Sequence, residues 1–223
     1  MSEESGSKIL RWGLAALAVI AFGLGMWTAV WWDTQAAKQH GPTQTEGGYV
    51  YSPGRPLTVD GLVDHNSQPF SLNDWRGHWL VINFGFLSCP DVCPVTLSVM
   101  NEVLYPKSQP ATHKRLPDQL KVLYVTVDPA RDTPERMKEY LSYFGDRYLG
   151  ITGPEDKLTA LGRQVNAVFV SQKKNDADEN YTVSHSSSIA LINPQGEFVA
   201  MLKGPDSPAQ FSQFLQELLP GQG

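Results

Sequence analysis

The sequence predicts an α/β sandwich with a mixed central sheet, and three observations support this fold class. Strand-like and helix-like stretches alternate along most of the chain, as they do when helices cover a sheet. Residues 120–128 form a continuous apolar run that is typical of a strand buried on both faces. A late stretch, 186–204, contains two apolar segments joined by a turn and predicts a hairpin, which adds antiparallel strands to the sheet.

The other elements follow from local patterns along the chain. The apolar run 79–86 predicts a central buried strand. Further strands are predicted at 148–152 and 168–171, with an earlier hairpin over 57–72. Helices are predicted over 94–105, from 134 after the N-cap Thr133, over 154–165, and after the N-cap Ser207. The remaining long stretches, 107–118 and 173–180, are polar and predict exposed loops.

The N-terminal region predicts one transmembrane helix. Residues 12–32 carry no charge, and about 20 apolar residues are enough to cross a bilayer. Lys8 and Arg11 precede this stretch, so the positive-inside rule places residues 1–11 in the cytoplasm. We therefore expect a single-pass protein of the bacterial inner membrane with its soluble domain in the periplasm. A cleaved signal peptide is the alternative, although its apolar core is usually only about 7–15 residues long.

The rest of the chain divides into a tether and one domain. Residues 33–50 are polar, lack an apolar period and predict a tether. Residues 51–223 are long enough for a single hydrophobic core. The formal net charge is -5 and no basic block is present, which argues against nucleic acid as a partner.

The only two cysteines, Cys89 and Cys93, lie in a turn directly after the predicted strand 79–86. Pro94 suits the first position of a helix, and a residue before proline avoids the helical region, so we expect Cys93 at the N-cap. The helix dipole would lower the pKa of a thiol there. A thiolate is both a nucleophile and a metal ligand, so redox and metal chemistry are both open. A purely structural disulfide is less favoured, because a loop this short constrains the unfolded chain little.

One histidine is a candidate third ligand. His185 lies where a polar loop enters an apolar strand, whereas the other four histidines are interpreted as surface residues: His40, His65, His78 and His113. Two thiolates and one imidazole form a soft, low-coordination set that favours Cu(I) and can also hold Cu(II). Zinc is the competitor, but structural zinc prefers four protein ligands. Spacing alone does not decide whether His185 reaches the thiols.

The segment 127–135, VDPARDTPE, follows the predicted buried strand 120–128. Asp128 and Asp132 could be acidic groups near the site, although loop chemistry explains Asp128 as well. Thr133 and Glu135 are interpreted as the cap and the first helical turn of the following helix.

Three motifs together resemble the signature blocks of the Sco/SenC family: GFLSCPDVCPVTL, VTVDPARDTPE and VSHSSSIALINPQGEF. The resemblance covers roughly residues 55–215. It implies a thioredoxin-like fold, a membrane anchor and copper as the bound metal, with Cys89, Cys93 and His185 as the ligands. It further implies a role in assembling the copper A centre of cytochrome c oxidase, with oxidase subunit II or another copper-delivery protein as the partner.

Two positions depart from the family pattern. Leu87 and Ser88 stand where the family often has Thr-His, and Ser184 stands where it often has Asp before the histidine. Neither change removes a ligand, but the missing acid could weaken the orientation of His185.

The leading hypothesis is therefore a copper metallochaperone, which is not a turnover enzyme. The alternative is a thiol-disulfide oxidoreductase that uses Cys89 and Cys93 as a redox-active pair to keep the subunit II cysteines reduced. A thiol peroxidase is a third reading, and nothing beyond the fold suggests it.

Overall fold

A computed structural model describes residues 12, 17, 19–32, 41–45, 47–89, 92–106, 116–117, 119–172, 181–204 and 207–219, with only the backbone of residues 92 and 93. Strands β1 to β11 span Thr43–Thr45, Gly48–Pro56, Leu62–Asp64, Pro69–Phe70, Trp79–Gly85, Leu120–Thr126, Tyr148–Thr152, Phe169–Ser171, Val183–His185, Ile189–Ile192 and Glu197–Leu202. Helices α1 to α4 span Val92–Leu104, Pro134–Ser142, Glu155–Gln164 and Pro208–Leu218. A short 3-10 helix covers Leu72–Trp75.

Within the described residues, the main sheet has nine strands in the order β1-β2-β11-β10-β5-β6-β7-β3-β4. Strands β5, β6 and β7 are parallel, and the others join antiparallel. The predicted mixed sheet is confirmed, with β5 and β6 near its centre. Strands β8 and β9 form a separate two-stranded sheet.

Two hydrophobic cores lie on opposite faces of the main sheet, because alternate side chains of each strand point to opposite faces. In β5, Leu80, Ile82 and Phe84 enter the first core, whereas Val81 enters the second. Helix α3 packs on the first core through Leu158 and Leu161. The second core contains buried residues of the other three helices: Leu97, Met100 and Leu104 of α1, Met137 and Leu141 of α2, and Phe211, Phe214 and Leu215 of α4. This arrangement is the predicted sandwich.

Local signals set several element boundaries as predicted. Thr133 precedes α2 and its side chain accepts a hydrogen bond from the backbone N–H of Arg136. Ser207 caps α4 in the same way, through the N–H of Gln210. Both caps satisfy donors that the first helical turn leaves unpaired.

The start of α1 differs from the prediction. The helix begins at Val92, so Cys93 lies inside its first turn and not at the N-cap. Pro94 is then the third helical residue. Proline is tolerated there because the first four N–H groups of a helix have no intrahelical partner, and the preference of the preceding residue for an extended backbone is overridden.

Strands occupy part of the stretch that was predicted to be a tether. Thr43–Thr45 pairs with β2, and the first residues of β2, from Gly48, pair with β11. The predicted boundary between tether and domain at residue 50 is therefore too late, because these residues belong to the main sheet. Strand β1 gave no apolar signal because its three side chains are polar and it lies at the edge of the sheet, where one face stays in water.

The chain divides into two units, Met1–Gly41 and Pro42–Gly223. In the first unit, residues 19–32 are helical and their side chains are exposed. Within the part of the chain that the structure describes, no helix combines the length and apolar character needed to span a membrane. The rest of the predicted span, 13–16 and 18, lies outside the described residues, as do 33–40 and the predicted loop 173–180.

Candidate metal centre

The first predicted ligand, Cys89, lies just past the carboxyl end of β5. Its backbone N–H donates to the carbonyl of Phe86 at 3.2 Å, which closes a tight turn after the strand. The residue is half-buried and packs against the first core. Cys93 follows in the first turn of α1, but its side chain lies outside the described residues, as do Pro90 and Asp91.

The third predicted ligand, His185, is the last residue of β9. Strand β9 pairs with β8, and His185 lies directly opposite Phe169. The His185 ring Nδ1 is 3.1 Å from the carbonyl oxygen of Ser186. A carbonyl can only accept, so Nδ1 carries the proton in this contact and Nε2 carries the lone pair that a metal would use.

Phe86 contacts both predicted ligand segments. The turn of Cys89 closes on its carbonyl, and the His185 ring meets its ring edge-on with centroids 6.0 Å apart. The structure therefore brings Cys89 and His185 to the same end of β5, a common location for ligand sites in α/β sheets. Among the side chains that are described, no three of the types His, Cys, Asp and Glu cluster as a metal site, and Cys93 is outside that set.

A charged and aromatic cluster adjoins Phe86. Asp128 is buried, at 3% exposure, and its Oδ2 accepts from Arg131 Nε at 2.5 Å. Its other oxygen, Oδ1, accepts from the Tyr181 hydroxyl, also at 2.5 Å. The Arg131 guanidinium lies 3.8 Å from the Tyr181 ring centroid and 5.9 Å from that of Phe86. Burial and the bond to Asp128 raise the pKa of Tyr181 to about 12, so the hydroxyl remains a donor at neutral pH.

A second buried carboxyl lies four residues further along. Asp132 is fully buried, and its Oδ2 accepts from the Leu87 N–H at 3.1 Å and from the Thr126 hydroxyl at 2.7 Å. Its Oδ1 has no hydrogen-bond partner among the described residues. Burial raises the pKa of Asp132 to about 6, and the Asp128 charge adds to this rise, while the bonds from Thr126 and Leu87 oppose it.

The structure thus places both candidate acids, Asp128 and Asp132, beside the predicted ligand segments. It also adds residues that the sequence analysis did not select: Phe86, Arg131 and Tyr181. Arg131 lies inside the motif VDPARDTPE, which could have indicated it. For Tyr181, at the end of a polar loop, the sequence alone offered no signal.

Two of the histidines that were interpreted as surface residues, His65 and His78, are half-buried. His65 was predicted to be a plain surface residue, but it is half-buried and its Nδ1 accepts from the Gly150 N–H at 3.1 Å. The turn that carries it folds back onto β7, and burial lowers its pKa. His78 is half-buried with its ring edge-on to Trp75. His40 and His113 lie outside the described residues.

Several known proteins are similar to this chain in sequence or in fold. The SCO1/SenC family model matches residues 61–220. A protein of Stutzerimonas stutzeri that is named for copper binding is 40% identical to this chain over 144 residues. The match covers 65% of this chain and 67% of that protein.

Two solved structures with copper bound are similar as well. Copper-bound Sco1 of yeast is 29% identical, with a TM-score of 0.64, and the match covers 74% of this chain and 88% of that one. Copper-bound ScoI of Bradyrhizobium japonicum is also 29% identical, with a TM-score of 0.60 and coverage of 74% and 99%. The predicted thioredoxin-like α/β sandwich is confirmed by these neighbours. The family match over most of the chain, together with these relatives, shows that the chain belongs to the SCO1/SenC family.

Proposed function

We propose that this protein binds copper and delivers it as a metallochaperone during assembly of the copper A centre of cytochrome c oxidase. The observation that carries the proposal is the convergence of Cys89 and His185 on Phe86 in a SCO1/SenC chain. Copper-bound structures of similar chains support the choice of metal. Because family membership implies an oxidase role, we take subunit II or another copper-delivery protein as the acceptor.

The proposed copper ligands are Cys89, Cys93 and His185. Their donor chemistry fits the metal, because thiolate sulfur and imidazole nitrogen are the soft ligands that Cu(I) prefers. The Nδ1 contact with Ser186 supports the tautomer needed for binding through Nε2. Copper is the cargo in this proposal, and it would pass to the acceptor's thiols by exchange of one ligand for another.

The proposed location is the bacterial inner membrane, with the domain in the periplasm. The support is the uncharged stretch 12–32 preceded by Lys8 and Arg11. An anchored domain would be held near a membrane-bound oxidase, which raises its effective concentration at the acceptor.

The test is a copper titration of the reduced full-length protein in mild detergent. Cu(I) is added against a competing chelator, and Cu(II) binding is followed by absorption spectroscopy. We expect one tight equivalent and a thiolate-to-Cu(II) charge-transfer band. Replacement of Cys89 or Cys93 by Ser should abolish tight binding, and His185→Ala should weaken it strongly, whereas His78→Ala serves as the histidine control. Nearly stoichiometric binding by the Cys93→Ser variant would contradict the ligand set.

A thiol-disulfide oxidoreductase is the second candidate, and the position of Cys93 favours it. A cysteine in the first turn of α1 lies at the positive end of the helix dipole, which stabilises the thiolate. This function needs both cysteines but not His185. Loss of oxidase assembly in a His185→Ala strain would support copper delivery, and full assembly would support the redox function. Both could operate in one protein, since copper binds only while the pair is reduced.

A further inference from the structure

The two proposed ligand segments lie in different sheets. Cys89 follows β5, which is hydrogen-bonded on both sides within the main sheet. His185 ends β9, and the backbone partner of β9 in the described structure is β8. Strand β10 begins at Ile189, four residues after His185, and pairs with β5, so the main sheet brings the two segments to the same end of β5. Neither Cys89 nor His185 is itself in this ladder, so side-chain contacts complete their relative placement.

A continuous set of hydrogen bonds connects the two segments. On the cysteine side, the Leu87 N–H, two residues before Cys89, donates to Asp132 Oδ2 at 3.1 Å. The Thr126 hydroxyl donates to the same oxygen at 2.7 Å. Thr126 Oγ1 accepts in turn from the Asp128 N–H at 2.9 Å. On the histidine side, Asp128 Oδ1 accepts from the hydroxyl of Tyr181, four residues before His185.

We propose that Thr126, Asp128 and Asp132 form an aspartate bracket that positions the His185 strand relative to the cysteine turn. Asp132 holds the turn through Leu87, and Asp128 holds the strand through Tyr181. These are positioning residues, because they act on the ligand segments and are not themselves proposed to bind copper. The consequence for copper affinity rests on the function proposed above, whereas the positioning can be measured without copper.

The bracket has the properties of a rigid support. The Asp128 carbonyl accepts from the Arg131 N–H at 3.1 Å and from the Asp132 N–H at 3.0 Å, so the two carboxylates are fixed relative to each other. Thr126, Asp128 and Asp132 are all buried. Hydrogen bonds to charged groups in such surroundings are among the stronger ones in proteins. Arg131 stacks on the Tyr181 ring and adds a second attachment of the same strand.

The bracket also gives the two aspartates of the motif VDPARDTPE a role, in addition to the helix capping that Thr133 provides. The spacing of Asp128 and Asp132 lets one loop present two buried carboxylates in different directions, one towards Leu87 and one towards Tyr181.

The first test compares Tyr181→Phe with Tyr51→Phe in the full-length protein. The control matches in residue type and surroundings, since the Tyr51 hydroxyl accepts a side-chain hydrogen bond from Asn166 at 2.7 Å and an arginine also stacks on its ring. Hydrogen exchange of the 183–185 amides in the metal-free protein should become about tenfold faster in Tyr181→Phe. Tyr51→Phe should stay within about twofold of the unmodified protein. Equal effects of the two substitutions would overturn the proposal.

The second test uses copper and a conservative rescue. Thr126→Val removes the hydroxyl that links the two carboxylates, and Thr126→Ser keeps it. Thr126→Val and Tyr181→Phe should each lower Cu(I) affinity about tenfold and alter the thiolate-to-Cu(II) band, while Thr126→Ser should retain both properties. An unchanged affinity and band in Tyr181→Phe would overturn the proposal. If the unmodified protein bound no copper, the proposed function would fail, and hydrogen exchange alone would decide the bracket.

Discussion

Two clusters in this protein combine the same residue types, an arginine stacked on a tyrosine beside a phenylalanine. In the distal cluster, Arg55 lies 4.5 Å from the Tyr51 ring and 4.8 Å from the Phe198 ring. In the proximal cluster, Arg131 lies 3.8 Å from the Tyr181 ring and 5.9 Å from the Phe86 ring. The clusters differ in what they hold together.

The distal cluster joins strands that the backbone already pairs. Arg55 of β2 is the register partner of Phe198 in β11, so the side chains reinforce an existing ladder. Its tyrosine accepts from the neutral amide of Asn166. The proximal cluster instead attaches a strand from outside the main sheet, and Tyr181 donates to the buried carboxyl of Asp128. The distal contact reinforces a ladder that already joins its two strands, whereas the proximal contact acts on β9, which has no ladder with β5 and is held near it through β10.

The largest effect is expected from truncating the phenylalanines. Phe198→Ala and Phe86→Ala each remove a buried ring, and each should lower the free energy of unfolding by about 3–5 kcal/mol. Only Phe86→Ala should also weaken copper binding by the folded protein, because its ring contacts His185. Chemical denaturation and copper titration of both variants measure the two effects separately. Equal copper affinities in the two variants would contradict the claim that only the proximal cluster supports the copper site.

The second-largest effect is expected in the pH dependence of stability, through Asp132 of the aspartate bracket. The folded-state pKa of Asp132 is raised to about 6 from an ordinary value of 3.8, so the folded protein holds this proton more tightly than the unfolded chain does. The resulting stability is complete below about pH 4 and is lost as the pH rises through 6. The loss for this one group is on the order of 2–3 kcal/mol.

The variant Asp132→Asn isolates this contribution, since asparagine is close in shape and does not titrate. The difference in unfolding free energy between the two proteins should therefore change by that amount between pH 4 and pH 7. Denaturation curves at a series of pH values provide the measurement. A difference that stays constant with pH would contradict the assignment to Asp132.

The two arginines should give a smaller contrast. Lysine keeps the charge but lacks the planar group that stacks on an aromatic ring. Arg131→Lys also weakens the bond to Asp128, so we expect a loss of about 1–2 kcal/mol, against less than about 1 kcal/mol for Arg55→Lys. For a domain of this size, about 1 kcal/mol corresponds to a shift of about 2–4 °C in Tm. Calorimetry would reject the comparison if Arg55→Lys were the more damaging change.

The smallest effect is expected at Asn166, which has a left-handed backbone with φ of 58°. Asn166→Gly tolerates this conformation but loses the bond to Tyr51, so a loss of at most about 1 kcal/mol should follow, with unchanged copper affinity. Asn166→Ala is the control, because it loses the same bond and also places a Cβ at positive φ. Its midpoint of denaturation should be the lower of the two. The reverse order would show that a Cβ at this positive φ carries no cost, and an unchanged stability of Asn166→Gly would show that the bond to Tyr51 contributes little.

Local patterns predicted much of the fold. The caps at Thr133 and Ser207 and the late hairpin are confirmed, because each depends on a few neighbouring residues. Strand β1 and the start of β2 escaped prediction, since β1 is polar and both are held by pairing with other strands. The start of α1 was predicted at Pro94, two residues after its actual start at Val92. The prediction relied on the backbone preference of the residue before proline, which the rest of the helix overrides.

The site divides in the same way. The chemistry follows from the amino-acid sequence, because two neighbouring thiols, a late histidine and a motif with two aspartates are properties of residue type and order. The contacts of Asp132 with Leu87, across 45 residues, and of Asp128 with Tyr181, across 53, arise only in the folded chain. Such contacts leave no local periodicity, since the partners are fixed by the packing of β5, β6 and β9 at one end of the sheet. The types of the candidate ligands can therefore be recognised in the sequence, whereas the distances between their segments are set only when the strands pack together.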